Sequence, residues 1–229
     1  MSGVDPVAHL RELAETATRT ADQLAEQIRA ATAMTLETVL GGGTIFFCGN
    51  GGSAADAQHM ATEYVVRYQR TRRALRAIAL TTDTSILTAA GNDFSFDEIF
   101  SRQIEALGRA GDLLMVHTTS GNSPNCVRAI EAAKAIGMRT IALTAKDGGM
   151  VNALADLCLV VPTQRTDRAQ EVHLAIQHGI CDVVDAEVAG GSASPPSGPA
   201  DIPRVALLDR QDILRFRLRD EVRHQVRDR

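Results

Sequence analysis

The chain has 229 residues, 45% of them hydrophobic, with a formal net charge of −4 and no tryptophan. That length carries one substantial core with extras; the mild acidity argues against a nucleic-acid partner, and the scarcity of aromatic residues argues against stacking platforms for bases or glycans. Cys48, Cys126, Cys158 and Cys181 show no C-x-x-C spacing and read as buried reduced thiols, and with no signal peptide and no bilayer-spanning run the expectation is a cytoplasmic protein without a membrane partner.

Residues 1–43 read as a helical segment. Leu10, Leu13, Ala17, Leu24, Ile28, Met34 and Val39 recur at helical spacing, no proline follows Pro6, and Gly41-Gly42-Gly43 closes the run. One long amphipathic helix, or a helix pair, is expected, with its stripe buried on its own sheet or on another subunit. From Thr44 strands and helices alternate. Strands are expected at Thr44–Cys48, Ala74–Leu80, Leu113–Thr118, Arg139–Thr144 and Leu157–Val161. Helices are expected at Ser53–Arg67, Thr84–Ala90, Phe96–Leu107, Asn122–Ile136, Gly149–Ala155 and Asp167–Val188. This alternation predicts an α/β, three-layer, doubly wound domain over 44–188, with a five-stranded parallel sheet and ligands at the C-terminal strand ends. Residues 189–229 open with a Pro/Gly/Ser run that reads as a flexible linker, and the charged tail beyond it is too short for a core of its own.

The chemistry concentrates after the first strand. Cys48-Gly49-Asn50-Gly51-Gly52-Ser53 lets the backbone turn sharply, and the helix it opens offers free N–H groups and the positive end of its dipole, an anion site in outline. On that helix His59 and Glu63 are four residues apart and share a face, so a metal-ligand or acid/base pair lies a turn or two away. After the third strand, Thr118-Thr119-Ser120-Gly121-Asn122-Ser123 puts four hydroxyls in six positions and would hold a phosphate without a lysine. On the last helix Gln170 and His178 share roughly one face, with His173 between them. With His59 and Glu63 they make a donor set suited to a divalent transition metal such as zinc. Each feature has an ordinary counterpart, since α/β proteins need tight turns, His/Glu pairs are commonly solvated and a lone Ser is commonly an N-cap. Their adjacency is what favours a sugar-phosphate enzyme.

Five motifs in order carry a family resemblance: C-G-N-G-G-S-A-A-D-A-Q-H-x-x-x-E (48–63), A-G-N-D-F-S-F-D-E-I-F (90–100), T-S-G-N-S (119–123), L-T-A-K-D-G-G (143–149) and D-R-x-Q-E-x-H with a further His (167–178). From about Leu10 to Val188 the chain resembles the sugar isomerase (SIS) domain and, within it, the bacterial phosphoheptose isomerases. The resemblance implies an aldose–ketose isomerase that takes a phosphorylated seven-carbon sugar, sedoheptulose 7-phosphate, through an enediol, as a homotetramer with active sites between subunits. It implies one zinc per subunit held by His59, Glu63, Gln170 and His178, with Glu63 as base and His178 as its acid/base partner. Phosphate would fall to Ser53, Thr119, Ser120 and Ser123, beside Gly52 and Thr118. Sugar hydroxyls would fall to Asn50, Gly51, Asn92, Asp93 and Gln170, with Arg67 and Asp167 as further substrate contacts. The chain departs from the family at Thr118, where many relatives carry Ser, and at Thr62, where an acidic residue is common. A non-catalytic SIS adaptor of the kind that binds the bacterial replication initiator is disfavoured by His178. A sugar-phosphate-sensing regulator is disfavoured because no DNA-binding domain is visible. Arg204–Arg210 is similar to the opening strand of heptose bisphosphate phosphatases, although Gln211 stands where that family has a second Asp.

Overall fold

A computed structural model describes residues 5–190; the expected linker and tail over 191–229, with the phosphatase-like run at 204–210, lie outside the described residues. Strands β1 (Ile45–Gly49), β2 (Ala77–Ala79), β3 (Leu113–His117), β4 (Arg139–Ala145) and β5 (Leu157–Val161) form one parallel sheet in the order β2-β1-β3-β4-β5. Side chains alternate between its two faces. Ile45, Phe47, Leu113, Met115, Ile141 and Leu143 pack on one side, against α1 (Pro6–Gln23), α2 (Ala25–Leu40), α3 (Gly52–Val65) and α8 (Thr166–Gly190). Phe46, Cys48, Leu114, Val116 and Ala142 pack on the other, against α4 (Thr84–Asp93), α5 (Ser101–Leu107), α6 (Pro124–Ala135) and α7 (Gly149–Leu154). Two buried faces are why these strands read as continuous apolar runs. The chain leaves β1 for β2 on one side and returns to β3 on the other, so the strand order reverses between β1 and β3. Ligand crevices form at such a switch point, and the two Gly/Ser loops flank it.

The N-terminal segment is a helix pair. Asp5 caps α1 by accepting from the Val7 N–H (2.9 Å), with Pro6 as the first helical residue. Leu24 (φ −112°, ψ 15°) breaks the run before α2. Most of the apolar stripe packs on the chain's own core, while Val7 and Leu10 stay exposed. Buried threonines on this pair, such as Thr20 and Thr35, satisfy their hydroxyls by donating to the carbonyl four residues back (2.8 and 2.7 Å).

Most boundaries shift by a residue or two from the sequence expectation, and α4 runs on to Asp93 where Ala90 is the expected end. The edge strand β2 is confined to Ala77–Ala79, and α3 stops at Val65, so Arg67 lies exposed on the following loop instead of one turn beyond Glu63. The expected Phe96–Leu107 helix divides into a 3-10 turn at Phe96–Glu98 and α5, because the Ser95 hydroxyl accepts from the Asp97 N–H (3.2 Å) and starts a separate turn. The last helix continues to Gly190 rather than closing at Val188.

Candidate active site

β1 ends at Gly49, in register with His117 of β3. A Cβ on Gly49 would lie 2.7 Å from the His117 carbonyl oxygen, so only glycine lets the strands approach there. Gly51 then adopts φ +58° to turn the chain into α3. The loops Asn50–Ser53 and Thr118–Ser123, closed by Thr166 and Gln170, enclose a cavity of about 280 Å³. Three helix N-termini converge on it: Gly52 and Ser53 begin α3, Ser123 precedes α6 and Thr166 begins α8. Hydroxyls and helix dipoles with no lysine make this cavity suited to an anion.

The loops are held rigidly. Asn50 and Asn125 exchange two side-chain amide bonds of 2.9 Å each, tying one loop to the start of α6; the Asn50 amide is therefore engaged within the protein rather than free for a sugar. Gly121 (φ +67°) is pressed so tightly against residues 148–149 that a Cβ would come 1.9 Å from the Gly148 carbonyl oxygen. Val151 N–H donates to the Gly121 carbonyl (3.0 Å) and Met150 N–H to Asn122 Oδ1 (2.9 Å). The L-T-A-K-D-G-G motif is thus a buttress behind the hydroxyl loop. Ser123 occupies the N-cap position of α6 without using its side chain as a cap, and its hydroxyl lies 3.4 Å from that of Thr118.

α3 and α8 run side by side in the same direction. At the anion cavity a Cβ on Gly52 would meet the Gln170 side-chain amide at 2.6 Å. Two turns further along, His59 Nε2 lies 2.9 Å from His178 Nε2 and 3.5 Å from Glu63 Oε1. One ligand atom from each of His59, Glu63 and His178 falls within 4.8 Å of the others. Burial, and secondarily the neighbouring His59, lowers the His178 pKa, with Glu63 opposing. The Tyr68 ring stacks on His178 (5.5 Å between centroids, 18° between planes). Tetrahedral zinc at ~2.0–2.1 Å from each nitrogen sets ligand nitrogens roughly 3.3 Å apart, so the two imidazoles and the carboxylate fit a zinc site after a small opening.

Not every expected residue joins this site within one chain. Gln170 is eight residues from His178, about 12 Å along α8 at 1.5 Å per residue, and its amide sits at the anion cavity instead of among the three metal-type ligands. Asn92 and Asp93 lie exposed at the end of α4, bonded to each other (2.8 Å). Asp167 pairs with Arg165 (2.6 Å), which holds its carboxyl well below the usual carboxylate range. None of these three lines the cavity. Conversely, sequence reasoning missed His117 and Thr166, which line it, and Tyr68, which covers His178. His117 was hidden at the end of an apolar strand; a histidine directly before the hydroxyl run was the available signal.

A doubly wound parallel sheet with hydroxyl-rich loops at its switch point is the architecture expected of the SIS domain class. The SIS domain family matches residues 8–145, and the chain belongs to it. It is 49% identical over 174 residues to the phosphoheptose isomerase of Aliarcobacter butzleri, covering 76% of this chain and 92% of that protein. Among solved structures it is similar to a phosphoheptose isomerase from Neisseria gonorrhoeae (45% identity, TM-score 0.75, covering 79% of this chain and 96% of that one). One from Francisella tularensis is 35% identical with a TM-score of 0.77, over 81% and 99% of the two chains. Within the SIS class, the chain is a member of the phosphoheptose isomerase family of enzymes.

Proposed function

We propose that the chain converts D-sedoheptulose 7-phosphate into D-glycero-D-manno-heptose 7-phosphate. The observation that carries this reading is the pairing of an anion cavity at one level of α3 and α8 with Glu63, His59 and His178 at the next. Seven residues of α3 separate Gly52 from His59, about 10 Å at 1.5 Å per residue. An extended seven-carbon chain from C1 to its terminal phosphorus has eight bonds of ~1.5 Å, each advancing about 1.25 Å along the zigzag, and so also spans about 10 Å. With the phosphate in the hydroxyl loops, C1 and C2 reach the acid/base pair.

Glu63 takes the proton from C1 while the electrons of that bond form the C1=C2 double bond and the C2 oxygen takes a proton from His178. The enediol then collapses: Glu63 returns its proton to C2, His178 recovers one from the C1 oxygen, and the C1 carbonyl forms. Both residues end as they began. Where zinc is bound, His59 and His178 would hold it by Nε2 and Glu63 by one carboxylate oxygen, which leaves the other Glu63 oxygen and the His178 Nδ1–H for the proton transfers; the metal, one per subunit, would supply Lewis acidity toward a developing oxyanion.

A homotetramer with active sites between subunits belongs to the same reading. It accounts for the separation of Gln170, Asn92 and Asp93 from the metal-type cluster of their own chain. A groove of about 480 Å³ beside the edge strand β2, with Val65, Val66 and Ile78 on its walls, supplies apolar surface for a neighbour to cover. Among the described residues no helix is long and apolar enough to cross a membrane, and a cytoplasmic site of action accords with that. An adaptor without catalysis has no use for the Glu63–His178 pair, so the enzyme is favoured. The test is incubation of the purified chain with sedoheptulose 7-phosphate in deuterated water, with and without chelator. Aldose carrying deuterium at C2 is expected; no aldose under either condition would overturn the assignment.

A further inference from the structure

We infer that Arg72 and Asp185 are positioning residues for the Glu63–His178 pair, acting through the loop 66–73 that they pin to α8. The inference rests on the isomerase reading and adds residues that the proton transfers themselves do not use.

Where α3 ends at Val65, the carbonyls of its last turn lack intrahelical donors. A glycine beyond the end is the common solution. Here Arg72 comes back from the loop instead. Its Nη2 donates to the Glu63 carbonyl (2.8 Å) and its Nη1 to the carbonyls of Tyr64 (2.9 Å) and Arg73 (3.0 Å). Its Nε donates to Asp185 Oδ1 (2.7 Å). The other carboxylate oxygen of Asp185 accepts from the backbone N–H groups of Gln69 (3.2 Å) and Arg70 (2.7 Å). Both side chains are buried, at 1% and 0% exposure. Asp185 lies seven residues beyond His178, two turns along the same face of α8.

One ion pair therefore joins the backbone of the proposed base to the helix of the proposed acid. Between its anchor points the loop delivers Tyr68, whose ring lies flat on His178. Buried ion pairs are poor sources of net stability, because desolvation offsets their attraction. The planar fork of Arg72 bonding three carbonyls and a carboxylate is instead suited to fixing geometry, which a lysine cannot reproduce. Acid/base transfer depends steeply on such geometry. The anion cavity, at the opposite end of the α3–α8 contact, is independent of this loop.

Arg72→Lys keeps the charge and removes the fork. Its expected result is a folded protein in which the His178 ring resonance, read by NMR on ¹³C-histidine-labelled protein and assigned with His178→Gln, moves as the Tyr68 ring current is lost. With sedoheptulose 7-phosphate, kcat should fall about 10- to 100-fold while KM changes by no more than about 2-fold. Tyr68→Phe, which keeps the ring, should behave as the parent, and Tyr68→Ala should reproduce the kcat loss. An unmoved His178 resonance with parental kcat, or a loss carried by KM, overturns the inference. Should Arg72→Lys not fold, Tyr68→Ala decides, since it leaves the ion pair intact: parental kcat in that variant overturns the inference. Should the parent fail to isomerise the ketose, that failure falls on the proposed function, and the His178 resonance in Arg72→Lys still tests the positioning role.

Discussion

His59 and His178 turn their Nε2 atoms toward each other across 2.9 Å, from two helices that run side by side, with Glu63 Oε1 3.5 Å from His59. Two imidazoles brought nitrogen to nitrogen beside a carboxylate need a shared proton or a cation between them. The cation reading makes a direct prediction. Elemental analysis of the purified protein should find about one zinc per chain, and His59→Ala should lose it. Metal-free protein with full activity would remove zinc from the site and leave the carboxylate route standing.

Glu63→Gln and His178→Gln should each leave a folded protein with at least about a 100-fold loss of kcat, the usual size of a lost acid or base. The conservative changes preserve side-chain volume, so a comparable melting temperature is expected. Near-parental turnover in either variant would sink the assignment of that residue.

The anion cavity is tested separately. Ser120→Ala combined with Ser123→Ala should raise KM for the phosphosugar ten-fold or more, because hydrogen bonds to a charged group contribute about 1.5–3 kcal/mol. Gly52→Ala should act in the same direction without unfolding, since its new Cβ displaces only the far end of the Gln170 side chain. Gly121→Ala should differ in kind. Its Cβ meets backbone at a positive φ, so the cost appears as lost stability of about 1–3 kcal/mol or more in denaturant melts. Unchanged KM in the serine double variant would place the phosphate elsewhere.

What the sequence made legible was local. The central strands β1 and β3 were readable because burial on both faces makes each a largely apolar run, and the His59–Glu63 pair because four residues on a helix fix one face. Features that depend on distant partners were not readable. A helical wheel places Gln170 and His178 within about 80° of each other, roughly one face, but says nothing of the 12 Å or so between their levels. The end of α3, and with it the position of Arg67, is set by Arg72 reaching back to the Glu63 and Tyr64 carbonyls while pairing with Asp185 more than a hundred residues later. His117 looked like the polar end of a strand until the register of β1 and β3 brought it under the anion loops.

The buried histidines make the fold sensitive to acid. His117 and His173 sit between the sheet and α8, where burial, aided at His117 by the nearby His173, pushes their pKa values down to about 3 and about 4. His117 Nε2 lies 2.9 Å from Gln177 Nε2, and His173 Nε2 lies 3.0 Å from the Thr144 carbonyl oxygen, partners for neutral rings. Unfolded, both titrate near 6.5. Below that pH the unfolded chain binds more protons than the native one, so stability is fully present above about pH 6.5 and falls as the pH drops toward the folded values. At ~1.4 kcal/mol per unit, the two rings together withdraw on the order of 5 kcal/mol by pH 4, a large part of a domain's usual stability. Asp56 acts in the opposite sense. Burial raises its pKa to about 6, against His59, so its contribution declines as pH rises from about 4 to 6. Asp56 is only half-buried, which after solvent screening leaves about 1 kcal/mol, and the histidines prevail. Urea melts between pH 7 and pH 4 should therefore show stability falling with acid, and His173→Gln should flatten that slope by roughly half. Identical slopes in the parent and His173→Gln would show that this ring is not held neutral in the core.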